Sequence, residues 1–273
     1  MNRYSDDVLV LRATERGAYD KLLTLVSAAG GRFYAILKGG HSTKRREAAA
    51  TEPFTWSNME FYERGGVKWV KDASAIETFP AMRYDAEKLF LAAYFADVVF
   101  ELTDEGAPAG EILPLCLNAL HVISTTKGED ARIKAAFEMR AAVIAGFAPM
   151  LDSCATCGAP QNEDGYLDVM NGAFLCRSCY QKKTAMGVPS PVDTHGERVL
   201  FYPLDLSAAR ALSFVATAEP KRVFSFRLTD ERSLQRFGAA CENYLLHHLE
   251  RGFPSLQNYK RLLAVRAMPT RQS

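Results

Sequence analysis

The sequence predicts an α+β multidomain protein, in which a small N-terminal β-barrel precedes an all-helical domain that carries a four-cysteine element. Five short apolar runs separated by glycine-rich turns occupy the first 80 residues, and the apolar spacing then changes to the helical period. Two Cys-x-x-Cys pairs interrupt the helical pattern. We therefore place the barrel at residues 1–80, the first helical part at 81–150, the cysteine element at 151–180 and the second helical part at 181–273.

The strands of the barrel are predicted at residues 7–12, 21–27, 32–38, 54–63 and 67–76, and glycines mark the turns between them. Five strands within about 75 residues fit an OB-fold, a partly open barrel that often binds oligonucleotides. A long basic loop, residues 39–53, separates the third strand from the fourth.

Apolar residues recur at the helical spacing in six later segments: 85–103, 111–125, 130–146, 207–217, 230–251 and 255–265. Gly252 and Pro254 end the fifth of these helices. The longest apolar stretch contains Asp97 and is shorter than the roughly 18 residues that a membrane span requires. The first residues also lack a signal-peptide pattern, so we expect a cytoplasmic protein without membrane contact.

The four cysteines of the element form two pairs, Cys154/Cys157 and Cys176/Cys179. Each C-x-x-C turn can direct both of its sulfurs at one point, and two such turns supply the four thiolates that tetrahedral Zn²⁺ binds. An Asn-Gly pair at residues 171–172 predicts a hairpin between them. We expect one structural Zn²⁺ per chain, because a closed site leaves no position for substrate; two disulfides or unrelated thiols are the alternative.

Known catalytic motifs are absent from the sequence, which has no G-x-x-x-x-G-K-[ST], G-x-G-x-x-G, H-E-x-x-H or G-x-S-x-G. His195 and Glu197 match part of the zinc-deaminase signature, but they follow the cysteine pairs, whereas that signature requires the reverse order. We therefore predict a protein that is not an enzyme. An enzyme with an unrecognised site is the alternative.

Residues 32–46 form the densest basic stretch, with five Lys or Arg, one His and no acidic residue. Strand alternation places Phe33, Ala35 and Leu37 toward the core and the even-numbered residues outside. Because Lys and Arg bind phosphates and exposed aromatics stack on bases, we predict a nucleic-acid interface at Arg32, Tyr34, Lys38, His41, Lys44, Arg45 and Arg46. Solvated loop charge is the alternative. Trp56, Tyr62 and Trp69 are weaker candidates, since most aromatics of a small barrel are core.

Several short motifs occur in a specific order. They are Gly17-Ala-Tyr-Asp-Lys21, Gly31-Arg32, Lys38-Gly-Gly40, Glu52-Pro-Phe54, Gly146-Phe-Ala-Pro149, Leu151-Asp152 and the two cysteine pairs with Gly158 and Gly172-x-Phe174. In this order and spacing, the chain resembles the RecO family of bacterial recombination mediators. His41 is a departure, because relatives often carry arginine there.

The resemblance implies an N-terminal OB-fold and a helical domain with a four-cysteine zinc element. It also implies binding of single- and double-stranded DNA, annealing of complementary strands, and loading of RecA onto SSB-coated DNA together with RecR, with RecF as a further candidate partner. A nucleoid-associated location follows from these activities. A zinc-containing RNA- or ribosome-associated OB-fold protein is the alternative.

The C-terminal tail of SSB is an acidic peptide that ends in an aromatic residue and a carboxylate. Such a ligand needs an apolar slot with cations at its rim. We expect this slot between the helices at 130–146 and 230–251, formed by Arg132, Phe137, Arg140, Arg232 and Arg236. Structural ion pairs with the acidic middle region are the alternative.

Overall fold

The structure is a computed structural model, which describes residues 3–40, 45–185 and 201–267, except for the side chains at positions 45 and 46. The strands are β1 (Arg3–Arg16), β2 (Asp20–Ser27), β3 (Gly31–Leu37), β4 (Trp56–Arg64), β5 (Val67–Glu77), β6 (Gly165–Asp168), β7 (Ala173–Cys176) and β8 (Phe201–Leu204). The helices are α1 (Arg45–Ala50), α2 (Pro80–Arg83), α3 (Ala86–Glu101), α4 (Ile112–Thr125), α5 (Asp130–Ile144), α6 (Arg177–Ala185), α7 (Leu206–Thr217), α8 (Glu231–His248) and α9 (Pro254–Ala267).

The chain forms two compact units. The first comprises Met1–Thr126 and Phe253–Ser273, and the second comprises Lys127–Gly252. The last helix, α9, therefore returns to the unit that contains the barrel. The domain boundaries given above at residues 80, 150 and 180 stay a prediction.

The predicted barrel is confirmed. Its strands follow the closed order β1-β2-β3-β5-β4, in which only β3 and β5 run parallel among the described pairings. With α1 between β3 and β4, this is the OB-fold arrangement. The interior holds the alternating side chains that the sequence pattern predicts, and its buried residues include Val8, Leu23, Phe33, Met59 and Phe61.

The first strand is longer than predicted. It pairs with β4 from Arg3 to Leu9 and with β2 from Val8 to Arg16, and a bulge lies between Val10 and Arg12. A bulge bends a strand and increases its twist. One continuous strand can therefore serve both neighbours and close the barrel.

Helices cover part of the barrel unit. Asp85 caps α3 by accepting a hydrogen bond from the amide of Glu87, and α9 packs on α3, where Tyr94 meets Phe253 edge-on. Lys88 is buried in α3, and its ammonium donates to the carbonyls of Ile123 and Thr126 at the end of α4. A cation at a helix C-terminus is favourable because it satisfies carbonyls that lack intrahelical partners.

The turn between β2 and β3 is fixed by the segment after α3. The amide of Arg32 donates to the carbonyl of Asp104, and the amide of Gly106 donates to Gly30. Gly31 has φ +61°, and a Cβ atom there would lie 2.1 Å from the carbonyl oxygen of Ala107. Only glycine permits this close approach of the two backbone segments, which explains why residue 31 is a glycine.

The second unit joins a helical layer to a small sheet. Helices α5, α7 and α8 pack together, and the sheet has the order β7-β6-β8. Strand β8 and helix α6 were not predicted. Helix α5 buries ionic side chains, including Lys134, whose ammonium lies 2.7 Å from a carboxylate oxygen of Glu138 and 2.8 Å from one of Glu242.

We predict that Gly31→Ala lowers the free energy of unfolding of the barrel unit by about 3 kcal/mol, because the methyl group meets a carbonyl in a left-handed backbone conformation. The measurement is urea unfolding followed by tryptophan fluorescence, since both tryptophans lie in barrel strands. Gly17→Ala is the matched control. Gly17 has φ +64° and open space around its Cβ position, so only about 1 kcal/mol is expected. Equal losses in both variants would contradict the clash at residue 31.

Candidate metal centre and nucleic-acid interface

The four predicted ligands converge. The Sγ atoms of Cys154, Cys157, Cys176 and Cys179 all lie within 4.8 Å of one another. The Cys157 and Cys176 sulfurs are 3.8 Å apart, and no disulfide joins any of the four. Tetrahedral bonds of about 2.3 Å to one Zn²⁺ place sulfurs roughly 3.8 Å apart, so the cluster fits a metal ion of this kind.

Local backbone structure explains the convergence. Gly158 adopts φ +71° and donates its amide to the carbonyl of Cys154, which closes the first turn behind the ligand pair. The second pair spans an element boundary, since β7 ends at Cys176 and α6 begins at Arg177. The first turn of α6 then brings Cys179 back toward the cluster.

The predicted hairpin is present, although its turn differs. Strands β6 and β7 pair from Asp168 with Ala173, so residues 169–172 form a four-residue connection. Asp168 accepts hydrogen bonds from the backbone amide and the side-chain amide of Asn171. Gly172 lies against the hydroxyl of Tyr244, which leaves no room for a Cβ atom.

The protonation equilibria of the thiols favour a bound cation. Burial raises the pKa of the Cys154 thiol, but hydrogen bonds from the backbone amides of Cys176, Cys157 and Thr156 outweigh it and bring that pKa to about 6. Hydrogen bonds with the Cys176 and Cys157 sulfurs, followed by burial, raise the pKa of Cys179 to about 12. The Cys154 thiol is therefore far more acidic than the Cys179 thiol, and a bound dication would stabilise the thiolate form of both.

A second feature lies on the outer face of the barrel. A cleft of about 250 Å³ is lined by Arg16, Leu22, Tyr34, Ile36, Gly66, Val67, Lys68 and Glu105. The cleft is lined by outward-facing side chains of β2 and β3, and it borders the β1–β2 and β4–β5 turns. This is the surface on which OB-folds bind oligonucleotides.

The residues predicted to bind nucleic acid differ in their exposure to solvent. Tyr34 is 44 % exposed in the cleft, and Lys38 is exposed at the end of β3. Arg32 is half-buried, and its guanidinium donates to the Phe100 carbonyl and lies 3.8 Å from the centre of the Phe100 ring. Arg32 therefore has a structural role in the barrel unit.

The rest of the predicted interface lies at or beyond the start of α1. His41 and Lys44 lie outside the described residues, and Arg45 and Arg46 are the first two residues of that helix. Their contribution to binding stays a prediction.

Sequence reasoning missed Arg16 and Lys68. Arg16 ends β1, and the Lys68 ammonium lies 4.6 Å from the centre of the Phe33 ring at the start of β5. Both residues lie beside the first and last turns of the barrel, where OB-folds bind oligonucleotides, and this position could have identified them from the sequence. Of the weaker candidates, Trp69 is half-buried and stacks with Tyr62, with ring centres 6.3 Å apart.

The slot predicted for an acidic tail must be corrected on its α5 side. Phe137 is fully buried, Arg132 is 7 % exposed and Arg140 is 9 % exposed. Arg132 donates to the Phe224 carbonyl and to Glu129, and Arg140 donates to the Ala216 carbonyl. These side chains hold the interior of the second unit together, so they cannot border a surface slot. On α8, by contrast, Arg232 is exposed to solvent and Arg236 is half-buried.

Comparison with known proteins shows the family to which the chain belongs. The family model for the Recombination protein O N terminal matches residues 1–79, and that for the Recombination protein O C terminal matches residues 83–194. A DNA repair protein RecO from Shouchella clausii is 31 % identical over 218 residues, which are 79 % of this chain and 83 % of the relative. The chain belongs to the RecO family.

Two further RecO proteins support this assignment. The protein from Acetivibrio thermocellus is 27 % identical over 96 % of this chain and 98 % of its own length. The protein from Anaeromyxobacter sp. strain K is 34 % identical over 69 % of this chain and 73 % of its own length. In the described parts of this RecO family member, no helix is both long and apolar enough to cross a bilayer.

We predict one metal ion per chain, with zinc as the expected element, and substantial metal loss in Cys157→Ser. Cys157 is exposed, so its replacement removes a ligand without leaving a core cavity. Three remaining thiolates form an incomplete tetrahedron, and the fold of residues 151–180 should weaken because metal binding and folding are coupled. Elemental analysis after desalting measures the metal content.

The control is Cys116→Ser, which alters a buried thiol outside the cluster and should keep the metal. Full metal content in Cys157→Ser, or none in the unmodified protein purified without chelator, would contradict the metal centre.

Proposed function

We propose that the chain is a non-enzymatic DNA-binding mediator of recombinational DNA repair. In this proposal it binds single- and double-stranded DNA, anneals complementary strands, and helps to load RecA onto SSB-coated DNA together with RecR. RecF and the SSB tail are further proposed partners, and Zn²⁺ is the proposed metal of the four-thiolate site.

The observation that carries the proposal is the cleft on the outer barrel face. It combines an exposed aromatic ring, Tyr34, with the cations of Arg16 and Lys68 and the apolar side chains of Leu22 and Ile36. A base can stack on the ring while the cations contact the flanking phosphates. The basic residues that follow β3 in the sequence would extend the phosphate contacts.

Annealing requires a means to offset the repulsion between two phosphate backbones. Bound cations release counterions from a strand and lower its charge, which makes the approach of a complement easier. A surface that contacts phosphates and stacks on bases without sequence preference suits strand annealing. The choice of partner strand is then left to base pairing between the two strands.

The direct test is annealing of complementary oligonucleotides that are coated with SSB, with and without the protein, followed by RecA filament assembly in the presence of RecR. We expect acceleration of both reactions without a nucleotide requirement of the protein itself. Preferential binding to structured RNA, with no effect on SSB-coated DNA, would favour the RNA-associated alternative.

We predict that replacement of Lys44, Arg45 and Arg46 with alanine weakens binding to all DNA sequences alike. If all three contact single-stranded DNA, the slope of log affinity against log salt should decrease by roughly 2, at about 0.7 for each phosphate. Fluorescence anisotropy across a salt series measures the slope. An unchanged slope and affinity would identify these residues as solvated loop charge.

We predict that Tyr34→Ala costs about 1–3 kcal/mol of binding free energy for single-stranded DNA, because a stacked base loses its platform. The salt slope should stay unchanged, since no cation is removed. Tyr84→Ala is the control, because Tyr84 is 92 % exposed and lies outside the cleft. Equal affinities of the two variants would show that no base stacks on Tyr34.

A further inference from the structure

The second unit contains a polar cleft of about 230 Å³ beside the four-cysteine element. Its lining is Asp164, Gly165, Tyr166, Arg177, Pro203, Leu204, Arg232 and Arg236. We refer to this site as the arginine cleft. Its three guanidinium groups come from separate places in the sequence, namely the start of α6 and two successive turns of α8. Its size suits a phosphate group with part of a sugar better than a large organic ligand.

The charges of the cleft are arranged for an anion. Arg177 and Arg232 are exposed, and neither forms a hydrogen bond or ion pair with another residue in the parts of the chain that the structure describes. Arg236 is held by Asp205, whose carboxylate oxygen lies 3.3 Å from the guanidinium. The cleft also contains one carboxylate, that of Asp164, which accepts the amide of Leu206, so three guanidinium groups face a single lining carboxylate.

The positions of the three arginines are fixed by folded structure. Arg177 directly follows the ligand Cys176 and begins α6, and Arg232 and Arg236 are four residues apart on α8, which places them on one helix face. Asp230 caps that helix by accepting the amide of Ser233. Guanidinium forks match the oxygen geometry of phosphate, and the folded backbone brings three of them to one cleft.

We propose that the arginine cleft is a second nucleic-acid site, which binds the phosphodiester backbone of a strand other than the one on the barrel. This inference rests on the proposed DNA-binding function. With one strand on the barrel and another on the second unit, a single chain can hold two strands at once. Phosphate contact without base contact leaves the second strand free to pair.

The test is a two-strand capture assay with the full-length protein. A biotinylated single-stranded oligonucleotide is immobilised and saturated with protein, and a labelled, non-complementary oligonucleotide is then added across a salt series. The test variant is Arg177→Gln with Arg232→Gln, which leaves the Arg236–Asp205 pair intact. The control is Lys221→Gln with Arg222→Gln, which removes two exposed charges of the same unit that line none of the described clefts.

We expect the test variant to bind the first oligonucleotide nearly as well as the unmodified protein. Its capture of the second should fall on the order of tenfold at 0.1 M salt, with a salt slope smaller by about 1.4, as two lost phosphate contacts imply. The control should capture the second strand normally. Metal content confirms that the four-cysteine element next to Arg177 remains folded.

The outcomes separate the two proposals. Failure of the unmodified protein to bind the first oligonucleotide would overturn the proposed function itself. Normal binding of the first strand with equal second-strand capture by the test variant would overturn only the arginine cleft. A fluorescent Asp/Glu peptide serves as a further probe: peptide binding that is lost in the test variant, without a loss of second-strand capture, would assign the cleft to acidic peptides and overturn the proposal.

Discussion

The convergence of four sulfur atoms is the constraint on which the four-cysteine element and its small sheet depend. The sheet of β6, β7 and β8 has four residues in each strand, which is too few to bury a core of its own. The cysteine cluster ties the end of β7, the start of α6 and the turn at residues 154–158 to one point. A metal ion bound there would supply the cohesion that a larger hydrophobic core supplies elsewhere.

That constraint also determines where a neighbouring cation lies. The Arg177 side chain is exposed, and its backbone lies between two proposed ligands, Cys176 and Cys179. A metal ion on these ligands would therefore help to fix its position, together with the packing of α6 on β6 and β7. If Arg177 contacts phosphate as we propose, a structural metal would influence binding without touching the bound molecule, because it would help to fix the residue that does.

The parts of the fold that short-range patterns encode could be predicted from the sequence. The alternation in β3 separated Phe33 from Tyr34 correctly, and the spacing of the cysteine pairs identified the sulfur cluster. Both signals depend on residues close together in the chain. Helix α1 and strand β8 carry no comparable pattern. Helix α1 has only six residues, and β8 has only four, which pair with β6.

Burial of charge was the part that the sequence could not show. Because burial of an unpaired charge is costly, the sequence of this helix predicts that the side chains of Arg132, Lys134 and Arg140 are exposed to solvent. In α5 each cation instead finds acceptors far away in the chain, such as the carbonyls of Phe224 and Ala216 and the carboxylate of Glu242. Only the tertiary structure reveals such partners.

The same contrast separates the cations that we propose to bind nucleic acid from those that support the fold. Arg32 belongs to the most basic stretch of the chain, yet its guanidinium is occupied by Phe100, whereas Arg16 and Lys68 stand outside that stretch and line the cleft. Charge density along the sequence therefore locates the interface only approximately. A cation is available for nucleic-acid binding when its position in the fold leaves its donors unsatisfied. On this ground we propose Lys68 rather than Arg32 as a phosphate contact on the barrel, and Arg232 rather than Arg132 in the second unit, because Arg32 and Arg132 donate to backbone carbonyls.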